Sequence, residues 1–386
     1  MQPTLLRKKV LILFGTRPEV IKFAPILHEL KKKSLRIHTV NVASAQHAHF
    51  LSPLALFFNL QIDYTLHSMA QFPSPLATCR RIIRCLHPIL AHEKPDLILV
   101  QGDTTTALAG AIAGAQHQIP VGHVEAGLRT GDLTSPFPEE ANRRVIGRLA
   151  TYHFAPTDSN RQSLLREGVH PDKIFVTGNP GVDALLSVLR SATPTAPLRD
   201  LLQATANTKR LVLTAHRREN LGPRLEACFA ALRRFVETHA DVTIIFPVHP
   251  NPGVIKAAKL LCGHQRIHLV KPLSYPDFVH LMHQSWLIIS DSGGIQEEVP
   301  SLGQRLLILR NNTERPEAVA CGAAQLVGTS PKSLTSTLED LWLHGPTTVS
   351  QLTRFNPFGQ GDSGIQIVNI IESVLSHEES DGAHHG

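Results

Sequence analysis

Short apolar runs rich in β-branched residues recur along this chain, separated by longer stretches with helical periodicity. In the first half they fall at 10–14, 37–42, 97–100, 121–124, 153–155 and 174–176. In the second half they fall at 211–214, 243–246, 267–270, 287–290, 306–309 and 325–327. A run that is apolar throughout needs cover on both faces, and the intervening helices supply it. The pattern predicts an α/β chain whose sheets are parallel and built from βαβ units. Two such series predict two Rossmann-like domains. The length agrees, since 386 residues at ~150 per domain allow two.

The turn formers Gly178-Asn179-Pro180-Gly181 follow the last run of the first series and mark the expected boundary. The expected domains are therefore 1–178, N-terminal, and 179–358, C-terminal and nucleotide-binding. After a second soft point at 356–361, an amphipathic stretch at 365–376 predicts a final helix. The remainder of 359–386 is a polar tail that includes His384 and His385. Lys31, Lys32 and Lys33 read as the C-terminal end of a helix, where cations meet the dipole.

Charge and composition narrow the partners. Lys and Arg number 38 against 32 Asp and Glu, a modest excess that suits an anionic ligand. Three Tyr and two Trp are few for stacking bases, so no nucleic acid is expected. The five cysteines are odd in number and contain no C-x-x-C pair. They are read as core residues of a protein in a reducing cytoplasm. The apolar run after Arg7-Lys8-Lys9 spans five residues, too short for a signal peptide, and reads as the first strand. No run approaches the ~18 apolar residues that would span a membrane.

Chemistry-bearing residues cluster just after the predicted strands, the edge where open α/β sheets bind ligands. Gly15-Thr16-Arg17-Pro18-Glu19 follows the first strand and opens a helix. Its amides with Arg17 and Lys22 suit a phosphate, although on these residues alone an ordinary strand-to-helix turn with a surface Arg reads better. Neither a G-x-G-x-x-G nor a P-loop lysine motif follows the first strand, which disfavours a nicotinamide cofactor and a P-loop ATPase. Asp103 follows another strand, either as a site carboxylate or as the cap of the Thr105 helix. His123-Val124-Glu125 ends the next, where an ionisable triplet is out of place in a plain buried strand. Glu139 and Glu140 open a helix, where acids also serve merely as dipole partners.

In the second half, His216, Arg217 and Arg218 follow a strand, and His249 follows the next. The sharpest signal is Ser290-Asp291-Ser292-Gly293-Gly294, whose amides at a helix start would cradle a diphosphate. Glu298 lies one turn on, within reach of a ribose diol, and Arg315 is a phosphate partner or a surface ion pair. His47 and His49 lack a third ligand at suitable spacing, so no metal is expected.

At these motifs the chain resembles the non-hydrolysing UDP-N-acetylglucosamine 2-epimerases. The stretches are GTRPE at Gly15, GDTTT at Gly102, HVEAGLRTGD at His123 and PEEANR at Pro138. They continue with TAHRREN at Thr214, PVHPNP at Pro247, SDSGGIQEE at Ser290 and TERPEAV at Thr313. Each alone is weak, but the ordered set spans nearly the whole chain. The resemblance implies two Rossmann-like domains with parallel sheets facing a central cleft, the glycosyltransferase-B arrangement. It also implies a final helix that returns to the first domain. Matching positions make Asp103, Glu125, Glu139 and His216 catalytic. Arg17, Lys22, Leu273, Phe278, Ser292, Gly293, Gly294, Glu298 and Arg315 would bind UDP, with Leu273 contacting the uracil through its backbone.

The implied reaction interconverts UDP-GlcNAc and UDP-ManNAc, without a cofactor, for surface polysaccharide synthesis. We expect a cytoplasmic homodimer. The alternatives are a hydrolysing epimerase, a glycosyltransferase using a UDP-sugar, or a non-catalytic sensor of the same ligand. An appended sugar kinase domain is not expected, which disfavours the hydrolysing reading. The loop Gln71-Phe72-Pro73-Ser74-Pro75 departs from the family by one residue, so activation by a second substrate molecule is not expected. Pro180-Gly181 also departs from the family, where an altered hinge is expected, and Gln304-Arg305 departs with no catalytic effect expected.

Overall fold

The structure is a computed structural model that describes residues 7–44, 48–66, 74–217, 220–345 and 355–382. The chain divides into two compact units, one of Met1–Ala184 with Phe358–Gly386, the other of Leu185–Pro357.

The first unit is built on β1 (Lys8–Phe14), β2 (Ile37–Ala43), β3 (Tyr64–Thr65), β4 (Leu97–Gln101), β5 (Val121–Val124), β6 (Tyr152–Ala155) and β7 (Ile174–Val176). These form one 7-stranded sheet in the order β3-β2-β1-β4-β5-β6-β7. Every neighbouring pair is parallel. The second unit holds β8 (Lys209–Thr214), β9 (Val242–Pro247), β10 (Ile267–Val270), β11 (Leu287–Ser290), β12 (Leu306–Ile308) and β13 (Ala324–Leu326). They form a parallel 6-stranded sheet in the order β10-β9-β8-β11-β12-β13.

Each run expected from the sequence is a strand, and both sheets are parallel because helical crossovers join their strands, which also covers the apolar runs on both faces. β3 is an addition. Its two residues sit at the sheet edge and are too few to carry a period of their own.

Close packing follows from small residues at the contacts. The helix Thr105–Gln116, sequence TTALAGAIAGAQ, lies tightly on the first sheet. A Cβ on Gly110 would sit 2.7 Å from Val100 Cγ1 and 2.8 Å from Leu13 Cδ2, so a larger residue would push the helix off. Cys79 and Cys228 are buried, Cys85 and Cys321 partly so. Cys262 is exposed, which corrects its reading as a core residue.

In both sheets the strand order reverses beside the first strand of its series. β1 lies between β2 and β4, and β8 lies between β9 and β11. Loops leaving the two flanking strands at such a point diverge and open a crevice at the carboxyl edge. The loops that do so carry GTRPE and GDTTT in the first unit, and TAHRREN and SDSGG in the second.

The chain leaves the first unit after Ala184, just beyond the turn at Gly178, and re-enters it at Phe358. The Asn179 amide donates to the Phe358 carbonyl at 2.6 Å. Gly178 has φ +76°, and a Cβ there would come within 3.0 Å of the Gly359 backbone. The final helix, Ser363–Gly382, then lies on the helix Arg17–Lys32. Gly364 permits this approach, because its Cβ would lie 3.0 Å from the Pro25 backbone. Lys33 and Arg36 each reach Glu372 at 2.7 Å, the first pair partly buried and the second at the surface, where such a pair is worth ~0–1 kcal/mol. Among the described residues no helix is long and apolar enough to cross a membrane.

Candidate active site

In the first unit, Glu19 organises the turn after β1. It is fully buried and accepts from the Gly15 amide (3.1 Å), the Thr16 amide (2.7 Å) and the Thr16 hydroxyl (2.6 Å). Thr104 Oγ1 donates to its other oxygen at 2.8 Å, which ties the turn after β1 to the turn after β4. Burial pushes the Glu19 carboxyl up to about 7, against the pull of those donors. Gly15 is needed here, since a Cβ would lie 2.1 Å from Ser44 Oγ and 2.5 Å from Thr106 Oγ1. Arg17, half-buried, opens the helix Arg17–Lys32, and Lys22 lies farther along it.

Glu125 comes immediately after β5 with φ +66°, a left-handed conformation that a non-glycine residue adopts only under constraint. The constraint is visible. Lys22 Nζ pairs with its carboxylate at 2.5 Å, and Gln101 Nε2, at the end of β4, also donates to it. A hypothetical Cβ on Gly102 would lie 3.8 Å from that carboxylate.

Asp103 follows on the neighbouring strand. It is not the helix cap, a role taken by Thr104, whose hydroxyl accepts from the Ala107 amide at 3.0 Å. Its carboxylate is gripped by Arg143 through Nε (3.1 Å) and Nη2, and Asn142 donates to its carbonyl at 2.8 Å.

The helix Glu139–Leu149 separates its two opening acids. Glu140 is wholly buried and binds Arg143 (3.0 Å), Arg144 (3.2 Å) and the Thr130 amide (3.0 Å), so it anchors the helix. Glu139 is half-buried at the helix start. Within the triplet at the end of β5, His123 turns inward. Its Nε2 donates to the Gly102 carbonyl at 2.8 Å, and burial lowers its pKa to about 3. It is a neutral structural group, and Glu125 is the member that reaches the carboxyl edge.

In the second unit the helix Gly293–Leu302 starts at the end of β11. The Arg315 guanidinium is seated against its first turn. A Cβ on Gly293 would lie 2.6 Å from Arg315 Nη1, so only glycine admits this seat. Arg315 is no surface ion pair, being 6% exposed. Its Nε donates to Glu297 (2.7 Å) and its Nη1 to Glu314 (2.5 Å). Glu314 also meets Arg310 at 2.9 Å and Arg217 at 3.9 Å. Three arginines around two carboxylates leave one net positive charge beside the helix amides, a setting for an anion.

Gly294 has open space above its Cα. Glu298 is buried farther along the helix and accepts from the Tyr275 hydroxyl at 3.1 Å. Tyr275 opens the helix that carries Phe278 and follows partly buried Leu273, so this segment is tied to Glu298 through Tyr275. His216, after β8, places Nδ1 3.1 Å from the buried Asp291 carboxylate, and its ring lies 5.7 Å from that of His249.

The structure thus gathers Arg17, Lys22, Asp103, Glu125 and Glu139 around the carboxyl edge of the first sheet. It gathers His216, Ser292, Gly293, Gly294, Glu298 and Arg315 around that of the second, with Leu273 and Phe278 on the segment that Tyr275 ties to Glu298. Sequence reasoning missed Gln101, Arg143, Tyr275, Glu297 and Glu314. The Glu140-Arg143-Arg144 spacing signalled a helical ion-pair set, but not its grip on Asp103. Among the described residues no group of three or more His, Cys, Asp or Glu could hold a metal ion. His47, the side chain of His49, Arg218 and Gln71–Pro73 of the departing loop lie outside the described residues, as do His384 and His385.

The family profile described as UDP-N-acetylglucosamine 2-epimerase matches residues 28–372. The chain belongs to this family. Its relatives include the UDP-N-acetylglucosamine 2-epimerase of Salmonella typhimurium, 44% identical over 95% of this chain and 98% of that one. The Bacillus subtilis enzyme of the same name is 42% identical over 96% of this chain and 95% of its own. A crystal structure of UDP-GlcNAc 2-epimerase from Neisseria meningitidis bound to UDP-GlcNAc superposes with a TM-score of 0.90. It is 40% identical and covers 95% of this chain and 100% of its own. Membership carries the activity in the family's name, epimerisation at C2 of a UDP-N-acetylhexosamine.

Proposed function

We propose that this chain interconverts UDP-GlcNAc and UDP-ManNAc reversibly, by a non-hydrolysing route through a glycal. C2 of the sugar bears the N-acetyl group and has no carbonyl beside it, so its proton is not acidic. Inversion without a redox cofactor then requires that the C2 proton leave as the C1–O bond to UDP breaks. The glycal takes a proton on the opposite face of C2, and UDP adds back at C1. Such a route needs carboxylates for the sugar and fixed positive charge for the departing diphosphate.

The observation that carries this reading is the pair Asp103 and Glu125, on adjacent strand ends, each clamped by a cation from another element. In the proposal these two and Glu139 move protons at C2, each such group worth ~10²–10⁴ in rate. His216, Arg17, Arg315, the Ser292 hydroxyl and the amides of Gly293 and Gly294 stabilise the charge that develops on UDP. The Ser292 amide is already engaged, donating to Ser290 Oγ at 2.9 Å. Glu298 takes the ribose diol, and the segment of Leu273 and Phe278 takes the uracil. Lys22 acts here through Glu125, the partner that it holds.

Purified protein with UDP-GlcNAc in D₂O, followed by NMR without added metal or nicotinamide, tests the reading. We expect UDP-ManNAc carrying deuterium at C2. Free ManNAc with UDP, and no UDP-ManNAc, would transfer the chain to the hydrolysing class.

A further inference from the structure

The residue after β11, Asp291, has no exposed surface and no role in the scheme above. Its two oxygens sit 3.1 Å from the His216 amide, and one accepts from the Arg217 amide at 3.0 Å. Asn220 Nδ2 donates to that oxygen at 3.0 Å and to the Leu309 carbonyl at 3.0 Å. The other oxygen lies 3.1 Å from His216 Nδ1. Burial raises the carboxyl, but the His216 contact and the surrounding donors bring it below its usual range.

An ionised carboxylate only accepts hydrogen bonds, so the His216 ring atom facing it must be Nδ1–H. Nε2, across the ring, then points away from Asp291. The two side chains differ sharply in exposure, His216 at 39% and Asp291 at 0%. One end of the imidazole is anchored in the core while the ring itself reaches solvent.

We propose that Asp291 is a positioning residue for the reaction, fixing His216 as the Nδ1–H tautomer and presenting Nε2 to the substrate. This rests on the epimerase reading for its kinetic consequence, but not for the tautomer. With Nδ1 committed, the proton that lets His216 stabilise the departing UDP is the one taken up at Nε2. The carboxylate offsets the positive charge whenever both ring nitrogens are protonated, as it does in other Asp–His pairs.

The test uses the full chain labelled with ¹⁵N-histidine, with His216 assigned by the signals lost in His216→Gln. Long-range ¹H–¹⁵N correlation should show protonated Nδ1 and bare Nε2 in the wild type. Asp291→Asn should reverse this, because its amide donates toward Nδ1. The same variant should lower kcat by ~10²–10⁴-fold, while UDP affinity from calorimetry stays within ~3-fold.

A wild-type Nε2–H tautomer overturns the proposal, and so does an Asn variant with unchanged kcat. Equal losses of kcat and UDP affinity with the tautomer retained would show that Asp291 merely ties down the loop, which also overturns it. If the Asn variant does not fold, the wild-type tautomer decides alone. A wild-type enzyme with Nδ1–H but no turnover of UDP-GlcNAc would sink the epimerase reading and leave the pairing intact.

Discussion

The carboxyl edges of the two sheets hold charge in different ways. In the first unit Glu125 meets the single cation Lys22, and Asp103 meets Arg143, which the buried Glu140 also holds. Around them lie buried groups displaced toward their neutral forms. Glu19 is pushed up to about 7, and His123 and His153 are pulled down to about 3 and about 4, all mainly by burial. In the second unit Arg217, Arg310 and Arg315 share Glu297 and Glu314 in one connected network. Moving protons requires groups that can change charge, one at a time. Holding a diphosphate requires positive charge that stays put, which a multiply bonded guanidinium provides.

The sharpest break of this contrast is Glu125→Gln. The amide keeps the shape and much of the hydrogen bonding but cannot act as a base. We expect kcat to fall by ~10² or more with UDP affinity unchanged. Loss of UDP binding, or intact turnover, would remove Glu125 from its proton-handling role.

Arg315→Ala should act on the other side, weakening UDP by ~1.5–3 kcal/mol through lost charge-assisted bonds. It should also lower the melting temperature, because Glu297 and Glu314 lose a buried partner. Arg315→Lys, which keeps the charge but not the planar fork, should fall between. Calorimetry and thermal melts separate the two effects. Unaltered UDP affinity in the Ala variant would confine Arg315 to a packing role.

The smallest effect expected concerns Glu19. Its carboxyl is pushed up to about 7 when folded, above its ordinary value of 4.5, so the folded state binds the extra proton. That contribution to stability is complete below about 4.5 and is lost as pH rises through about 7. The melting temperature of wild type relative to Glu19→Gln should therefore drop by about a few degrees across that window. A difference that stays flat, or grows in favour of wild type, would show that the four donors keep Glu19 ionised throughout.

How much could be read without coordinates differs from element to element. The strands at 10–14 and 287–290 were legible because a strand buried on both faces must be apolar at every position. Glu125 and the Gly293-Gly294 turn were legible because both break the expectation for a buried strand or an ordinary helix start. Arg143 was not, because its partner Asp103 lies 40 positions away. Glu140 lies beside Glu139 in the chain, and only burial separates an anchoring carboxylate from a half-buried one.

The sequence by itself determined the parallel α/β class and the motif clusters at the strand ends, since local periodicity and turn chemistry depend on neighbours within a few residues. Tertiary structure alone decided which charges meet: Lys22 with Glu125, Arg143 with Asp103, Asp291 with His216, and Arg315 with Glu297 and Glu314. Most of those partners stand far apart along the chain and are brought together by strand order. Even Glu314, beside Arg315 in sequence, reaches it only because Gly293 leaves room for the guanidinium at the helix start. Whether a charged residue is a solvated surface group or a fixed part of a site depends on that proximity and burial, which no local pattern encodes.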